Sequence, residues 1–224
     1  MFNRLLKSLI GILLVPVIIG FAISLYQSLA PLSTTSLSHA QLIFLYGIFF
    51  YCGLHLFLFK PNYLYVFGHE LIHALATWLC GGKVRSFRVS GAGGSVKASK
   101  SNFFIVLAPY FIPAYVVIFS SIYFILSLFF GPQFLSPYFI FTIGASLAFH
   151  LIMTADVLKK KQPDIFKSGY IFSLTLIFLF NIIVVGMIFC WLFEGITISA
   201  FFKGAFFLSK EIYVKIFTQL FLVS

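Results

Sequence analysis

Two histidines and a glutamate stand at the spacing of a metal site in His69-Glu70-Leu71-Ile72-His73. Residues four apart lie on one face of a helix, so His69 and His73 can offer two imidazole nitrogens to one metal ion. Glu70 lies beside them and can take a proton from water at that ion. The chain has only five histidines and five acidic residues in 224, so a chance match is improbable. The pattern predicts one zinc ion per chain, with Glu70 as general base.

The surroundings of this motif are apolar, which makes an interpretation without metal costly. Two histidines that only hydrogen-bond a neighbour would leave Glu70 as an isolated acid in an apolar environment. A charged side chain at the centre of a bilayer costs about 2.5 to 3.5 kcal/mol on insertion scales, and such groups usually mark function. The metal site is therefore the favoured interpretation.

The composition excludes a soluble globular domain. Charged residues make up 9% of the chain and the mean hydropathy is +1.08, whereas soluble proteins carry about 25% charged residues. Lys, Arg, Asp and Glu are absent from 8–59, 101–155 and 168–193, and a helical span needs about 20 apolar residues. We therefore predict an all-α polytopic membrane protein with about six transmembrane helices, located in a bacterial inner membrane or a plasma membrane.

Breaks that contain proline or glycine divide the chain into predicted helices. The helices are predicted at 8–30, 40–59, 62–80, 103–130, 136–157 and 169–193. The breaks are Pro31-Leu-Ser-Thr-Thr-Ser, Lys60-Pro61-Asn62 and Gly131-Pro132-Gln133. The last segment, 196–224, carries four charged residues among Phe and Leu, which favours an amphipathic helix at the membrane interface. We expect a single integral membrane domain, 1–224, with N-terminal helices in 1–59, a core in 62–165 and a C-terminal part in 169–224.

The net charge of +10 comes mainly from basic residues in two loops, 83–100 and 159–167. The positive-inside rule and attraction to anionic lipid headgroups explain such loops, so we expect a lipid bilayer as partner and no nucleic acid. Both loops are predicted to be cytoplasmic. Arg4 and Lys7 also favour the inside, so either 62–80 only dips into the bilayer or an early segment does not span it. The sequence leaves both arrangements open.

The segment 81–97, which follows the motif, is rich in Gly, Ser, Val and basic residues. Valines and a phenylalanine interrupted by glycines predict a short Gly-rich β-hairpin, and a flexible loop is the alternative. The free edge of such a hairpin can accept an extended substrate as an added strand. Gly93, Gly94 and Ser95 are the predicted substrate-binding residues.

The order of the elements along the chain resembles that of the site-2 protease family of intramembrane zinc metallopeptidases. Three features over about 62–165 carry the resemblance: Phe67-Gly68-His69-Glu70-Leu71-Ile72-His73-Ala74, the Gly-Gly hairpin, and Leu107-Ala108-Pro109 at the start of the next span. The resemblance implies zinc bound by His69 and His73, Glu70 as general base, and hydrolysis of a membrane-protein substrate at membrane depth. The family often has Leu-Ala-Gly-Pro followed by Asn at the third feature, whereas Tyr110 follows Pro109 here.

The third zinc ligand is the main departure from this family. Its members usually take that ligand from a Leu-Asp-Gly motif, and this chain contains no Asp-Gly, although a catalytic zinc needs three protein ligands. His150, in the apolar part of the corresponding span, is the first prediction, with Thr154 accepting a hydrogen bond from its other nitrogen. Asp156, at the edge of a charged loop, and Asp164, after Pro163, remain as alternative third ligands.

Two other interpretations remain open, and a third is disfavoured. The His-Glu-x-x-His pattern of residues 69–73 is called the HExxH motif. A second type of membrane protease with an HExxH helix takes its third ligand from a later Glu, for which Glu194 is the counterpart here. A non-catalytic zinc-binding membrane protein or scaffold could also retain the HExxH helix. A transporter would show internal repeats and several intramembrane acids, which this sequence lacks. The intact Glu70 favours an intramembrane zinc metalloprotease.

Overall fold

The structure is a computed structural model that describes residues 2–34, 37–58, 60–91, 93–160 and 162–221. It is mostly helical, with one two-stranded sheet. The elements are α1 (Phe2–Leu13), α2 (Val15–Thr34), α3 (His39–Phe57), α4 (Asn62–Leu79), β1 (Val84–Ser90), β2 (Gly93–Ala98), α5 (Phe103–Leu107), α6 (Ala114–Phe130), α7 (Pro132–Leu158), α8 (Pro163–Ser168), α9 (Tyr170–Leu192) and α10 (Ile198–Phe221). A 3-10 turn at Ala108–Tyr110 follows α5.

Several helices are long and apolar enough to cross a membrane. In the described ranges there are four of them, at Leu5–Ala30, His39–Phe57, Ser136–Leu158 and Tyr170–Leu192. A fifth is counted if Phe103–Tyr110 and Ala114–Phe130, which are bent by 79°, form one broken span. The helical, membrane-type architecture agrees with the sequence, but the count is four or five. Neither α4, which carries the HExxH motif, nor α10 is among these helices.

Proline positions explain one of the differences between the observed and the predicted helices. The single helix predicted over 103–130 is wrong, because the chain turns at Ala108–Tyr110 and resumes at Ala114. Pro109 and Pro113 lack the N–H groups that a continuous helix needs there. Near the N-terminus, the prediction of one helix at 8–30 missed the break at Leu14 and the continuation of α2 through Pro31 to Thr34. The predicted ends of two segments, at Phe59 and at 222–224, lie outside the described residues.

The chain divides into two compact units, 1–37 with 165–224 and 38–164. In the first unit, α2 and α10 pack closely through small residues. Ser24 donates a hydrogen bond to the Phe201 carbonyl at 2.8 Å, and a Cβ at Gly20 would lie 2.7 Å from the Ser209 nitrogen. One face of α10 is therefore buried against a neighbouring helix. Its placement at a membrane interface stays a prediction.

The second unit contains the HExxH motif and nearly all of the predicted 62–165 core. Its helices α3 and α7 cross with their backbones in contact, because a Cβ at Gly47 would overlap the Phe141 carbonyl and one at Gly144 would overlap the Phe44 carbonyl. Small residues permit such close approach between membrane helices. Near α4, the α3–α7 pair contributes to one apolar cluster of buried residues: Tyr51, Tyr65, Ala148 and Met153.

The predicted β-hairpin is present. β1 and β2 pair antiparallel, with Phe87 opposite Val96 and Arg88 opposite Ser95, and an irregularity lies between Val84 and Ser86. Because side chains alternate between the two faces of a strand, this register divides the hairpin into two faces. The inner face carries Phe87, Val89, Gly94 and Val96, and the outer face carries Ser86, Arg88, Ser95 and Lys97. The inner face packs on α4, where the rings of Phe87 and Phe67 lie 6.1 Å apart.

Candidate metal centre

The HExxH helix brings two histidines and one aspartate together. The ring centroids of His69 and His73 lie 4.9 Å apart on α4, and His73 Nε2 is 3.7 Å from Asp164 Oδ2 in the first turn of α8. One ligand atom from each of the three side chains lies within 4.8 Å of the others. Two ligands of a tetrahedral zinc at about 2.0 Å are about 3.3 Å apart. We call His69, His73 and Asp164 the two-histidine cluster.

The orientation of His73 is fixed by a backbone carbonyl. His73 Nδ1 lies 2.8 Å from the oxygen of Ile105, and because a carbonyl only accepts, the Nδ1–H must donate. In the neutral imidazole, the lone pair is then on Nε2, the nitrogen that lies 3.7 Å from Asp164 Oδ2. This is the usual support for a metal-bound imidazole, since a hydrogen bond to one nitrogen sets the tautomer of the other.

The carbonyl of Ile105 is held in turn by the start of α5. Asn102 is the N-cap of this short helix, and its Oδ1 accepts a hydrogen bond from the Ile105 N–H at 2.8 Å. Ile105 itself is buried, with 5% exposure. The segment after the hairpin therefore positions a zinc-ligand candidate on α4, although it contributes no ligand of its own.

His69 is enclosed by aromatic rings. Its ring centroid lies 5.0 Å from that of Tyr110 and 5.7 Å from that of Tyr65. In the described structure, His69 Nδ1 is buried and has no hydrogen-bond partner. A cavity of about 20 Å³ lies at this ring and is lined also by His150 and Tyr115, and this volume is enough for one water molecule.

Glu70 lies directly beneath the hairpin. Its side chain is buried, with 6% exposure for the residue, and it is in electrostatic range of both His73 and Asp164. A Cβ added at Gly94 would stand 2.5 Å from Glu70 Cγ and 2.8 Å from Val66 Cγ1. A side chain at position 94 would therefore collide with Glu70, and the glycine lets the backbone of β2 approach the predicted general base.

Of the three residues predicted as possible third ligands, the structure brings only Asp164 to the two histidines. Asp164 joins His69 and His73, whereas His150 is buried beside the same cavity as His69 but lies outside the group that could hold a metal. The hydrogen bond expected between Thr154 and His150 is not formed. Thr154 Oγ1 is buried next to the hydroxyl of Tyr65.

Asp156, the other alternative, is engaged elsewhere. Its Oδ2 lies 2.6 Å from Lys60 Nζ and 3.5 Å from His55 Nε2, and its Oδ1 lies 3.0 Å from Lys159 Nζ. The second nitrogen of His55 is 3.1 Å from the Tyr51 hydroxyl. We call Asp156, His55, Lys60 and Lys159 the lysine cluster. It holds the ends of α3 and α7 and the chain before α4 to one another.

The predicted substrate-binding residues and the rival ligand are also located. Gly94 lies on the inner face of β2 against Glu70, and Ser95 lies on its outer face. Gly93 stands at the start of β2, opposite Ser90. Glu194 is exposed in the turn after α9 and belongs to the other compact unit.

Sequence reasoning missed three residues that support the site: Asn102, Ile105 and Tyr110. An asparagine immediately before an apolar run is an N-cap signal, so the start of α5 could have been predicted. The contacts of the Ile105 carbonyl and the Tyr110 ring depend on how the chain folds back after the hairpin, and no local pattern indicates them.

Comparisons with known proteins give no further information on this site. No protein-family model, curated protein or solved structure matches the chain.

Proposed function

We propose that the protein is an intramembrane zinc metalloprotease, which hydrolyses a peptide bond in or near a transmembrane segment of a substrate protein. The observation that supports this proposal best is the convergence of His69, His73 and Asp164 beside a buried Glu70. The resemblance to the site-2 protease family points to the same reaction. The four or five helices that could cross a membrane are compatible with a substrate that lies in the bilayer.

The donor set suits zinc. Zinc favours imidazole nitrogen and carboxylate oxygen, and its catalytic sites have three protein ligands and one open position. We assign the three ligands to His69, His73 and Asp164, so that Asp164 supplies the aspartate that the family usually takes from Leu-Asp-Gly. When bound, zinc would act as a Lewis acid that activates water and polarises the scissile carbonyl.

Glu70 is the proposed general base. It would take the proton from the attacking water and deliver it to the leaving nitrogen, as acid–base groups in hydrolases do. Its burial under β2 separates it from bulk solvent. The water needs a polar path, and the His69 cavity has room for one such molecule.

The substrate must leave the helical conformation before cleavage, because a helix keeps its carbonyls hydrogen-bonded. In the described part of the chain, β2 pairs with β1 alone. The edge of β2 that faces away from β1 could therefore accept an added strand. Such a strand would receive main-chain hydrogen bonds from the segment Gly93-Gly94-Ser95. This binding mode requires an extended segment and does not require one particular side-chain sequence.

The proposal is tested with purified protein in detergent and a model substrate that contains one transmembrane segment. We expect about one zinc per chain, cleavage that stops when a chelator removes the metal, and recovery of cleavage when zinc is returned. Glu70→Gln should keep the zinc and lose cleavage. Bound zinc without cleavage of any membrane substrate would favour the non-catalytic zinc-binding protein, and a folded, never-chelated protein without zinc would contradict both.

A further inference from the structure

The two faces of the hairpin differ in charge. The segment 81–100 carries five basic residues and no acidic one. The inner face, against α4, is apolar except for its glycine, whereas the outer face carries Arg88 and Lys97, both exposed. Arg88 is opposite Ser95 and Lys97 is opposite Ser86, so the two cations lie on one face as diagonal neighbours on adjacent strands.

These two cations are not neutralised by the rest of the described structure. In the described structure, neither the guanidinium of Arg88 nor the ammonium of Lys97 makes an ion pair or a hydrogen bond. Lys60, which precedes α4, and Lys159, at the end of α7, behave differently, because both are paired with Asp156. The outer face of the hairpin therefore presents unpaired positive charge.

The location of this charge relates it to the site. The hairpin that carries Arg88 and Lys97 also places Gly94 on Glu70. A segment that adds to the free edge of β2 alternates its side chains between the two faces. Every second side chain of that segment would lie on the same face as Ser95 and Lys97. A carboxylate at such a position would be within reach of the Lys97 ammonium.

We propose that the outer face of the hairpin recognises acidic side chains in the substrate, within the extended segment that flanks the cleaved bond. This inference rests on the proposed protease function and adds the substrate class to it. Arg88 and Lys97 would bind Asp or Glu side chains of the flank while the scissile bond lies at Glu70. Anionic lipid headgroups offer similar charge, and the experiment separates them from a peptide.

The test compares two model substrates with the same transmembrane segment, one with four acidic residues in the flank and one with Ser and Gly there. For the unaltered protein, we expect kcat/KM to be about fivefold higher with the acidic flank, mainly through KM, as two exposed ion pairs allow. The double variant Arg88→Gln/Lys97→Gln should bring this ratio close to one. The matched control Lys203→Gln/Lys210→Gln removes the same charge from α10 and should leave the ratio unchanged.

Two further arms make the outcome decisive. An increase in salt from about 0.05 M to about 0.5 M should reduce the preference, because exposed ion pairs are screened. Equal cleavage of both substrates by the unaltered protein would overturn the inference and leave the protease proposal intact. A variant effect that requires vesicles with anionic lipid, and that is the same for both substrates, would assign the face to lipid headgroups.

Binding tests the inference separately from catalysis. Labelled flank peptides without the transmembrane segment can be titrated into Glu70→Gln protein and followed by fluorescence anisotropy. The acidic peptide should bind about fivefold more tightly than the neutral one, and the Arg88→Gln/Lys97→Gln change should remove the difference. If neither substrate is cleaved but this difference is found, the protease proposal fails and recognition of acidic segments stands. Equal binding of the two peptides would contradict the inference.

Discussion

The second unit contains two aspartate–histidine contacts that differ in their surroundings. His55 Nε2 lies 3.5 Å from Asp156, and His73 Nε2 lies 3.7 Å from Asp164. The two carboxylate side chains are equally exposed, at 24% and 25%, so burial does not distinguish them. The neighbours do, because Asp156 has two lysine ammonium groups at 2.6 and 3.0 Å, whereas Asp164 lies with a second histidine near a buried glutamate.

This difference indicates two uses for one pair of residue types. A carboxylate with both oxygens on ammonium groups is a structural tie, and zinc would have to displace those groups in order to bind it. A carboxylate that converges with two imidazole nitrogens has the composition of a zinc site. The two-histidine cluster is thus the metal-site candidate, and the lysine cluster is its structural counterpart.

The largest effect on zinc binding is expected from substitutions of the two aspartates. Asp164→Ala removes a proposed ligand and should weaken zinc binding by more than about 100-fold, beyond what loss of a supporting contact causes. Asp156→Ala, the matched control, should leave zinc affinity unchanged. Competition with a chromogenic chelator measures both affinities. If Asp156→Ala loses zinc and Asp164→Ala keeps it, the roles of the two clusters are reversed.

A smaller effect is expected at the support of His73. Asn102→Ala removes the acceptor that caps α5 and should loosen the Ile105 carbonyl, which weakens zinc binding by about tenfold. Asn102→Asp keeps an oxygen acceptor and should retain most of the affinity. The same chelator competition measures both variants, and an unchanged affinity in Asn102→Ala would show that the Asn102 cap is not needed to hold the Ile105 carbonyl at His73.

At the contact between the hairpin and Glu70, we expect an effect on cleavage and none on zinc content. Gly94→Ala places a methyl group at Glu70 and should push β2 away, with a loss of about tenfold in cleavage rate, since overpacking costs about 1 to 3 kcal/mol. Gly91→Ala is the control, because a Cβ there meets no atom of the described residues beyond its chain neighbours within 4 Å. Zinc content and cleavage are measured on both proteins. Unaltered cleavage in Gly94→Ala would show that the close approach is dispensable.

The smallest effect is expected from substitutions in the lysine cluster, and it concerns the free energy of unfolding. Lys60 is 54% exposed in its side chain, so its pair with Asp156 should contribute less than about 1 kcal/mol to stability. A double-mutant cycle with Lys60→Gln and Asp156→Asn, measured by unfolding in mixed micelles, gives this coupling. Zinc affinity should be the same in all four proteins. A coupling of several kcal/mol would contradict this expectation and show that the pair is a major contribution to stability.

The sequence predicts local features of this molecule well. Long tracts without charge indicate the membrane-type helices, and the glycines and valines after Cys80 indicate the hairpin. His69 and His73 are four residues apart, so they share one face as soon as α4 is a helix. Each of these features depends on neighbours a few residues away, which is why a sequence pattern reveals them.

The choice of a third ligand depends on long-range folding and could not be made from the sequence. The sequence favours His150 because a histidine in a span is costly, yet a buried histidine beside a cavity satisfies the same pattern. Asp156 and Asp164 are only eight positions apart, and each lies near a histidine in the structure. What separates them is that Lys60 folds onto Asp156, 96 positions away in the chain.

X-ray absorption at the zinc edge of the detergent-purified protein, repeated on Asp156→Ala and His150→Ala, tests most directly whether Asp164 is the third zinc ligand. With His69, His73 and Asp164 as the ligands, we expect two imidazole nitrogens and at least one carboxylate oxygen at the zinc, with the same spectrum in all three proteins. Three imidazole ligands in the unaltered protein, reduced to two in His150→Ala, would contradict the assignment of Asp164 and make His150 the third ligand.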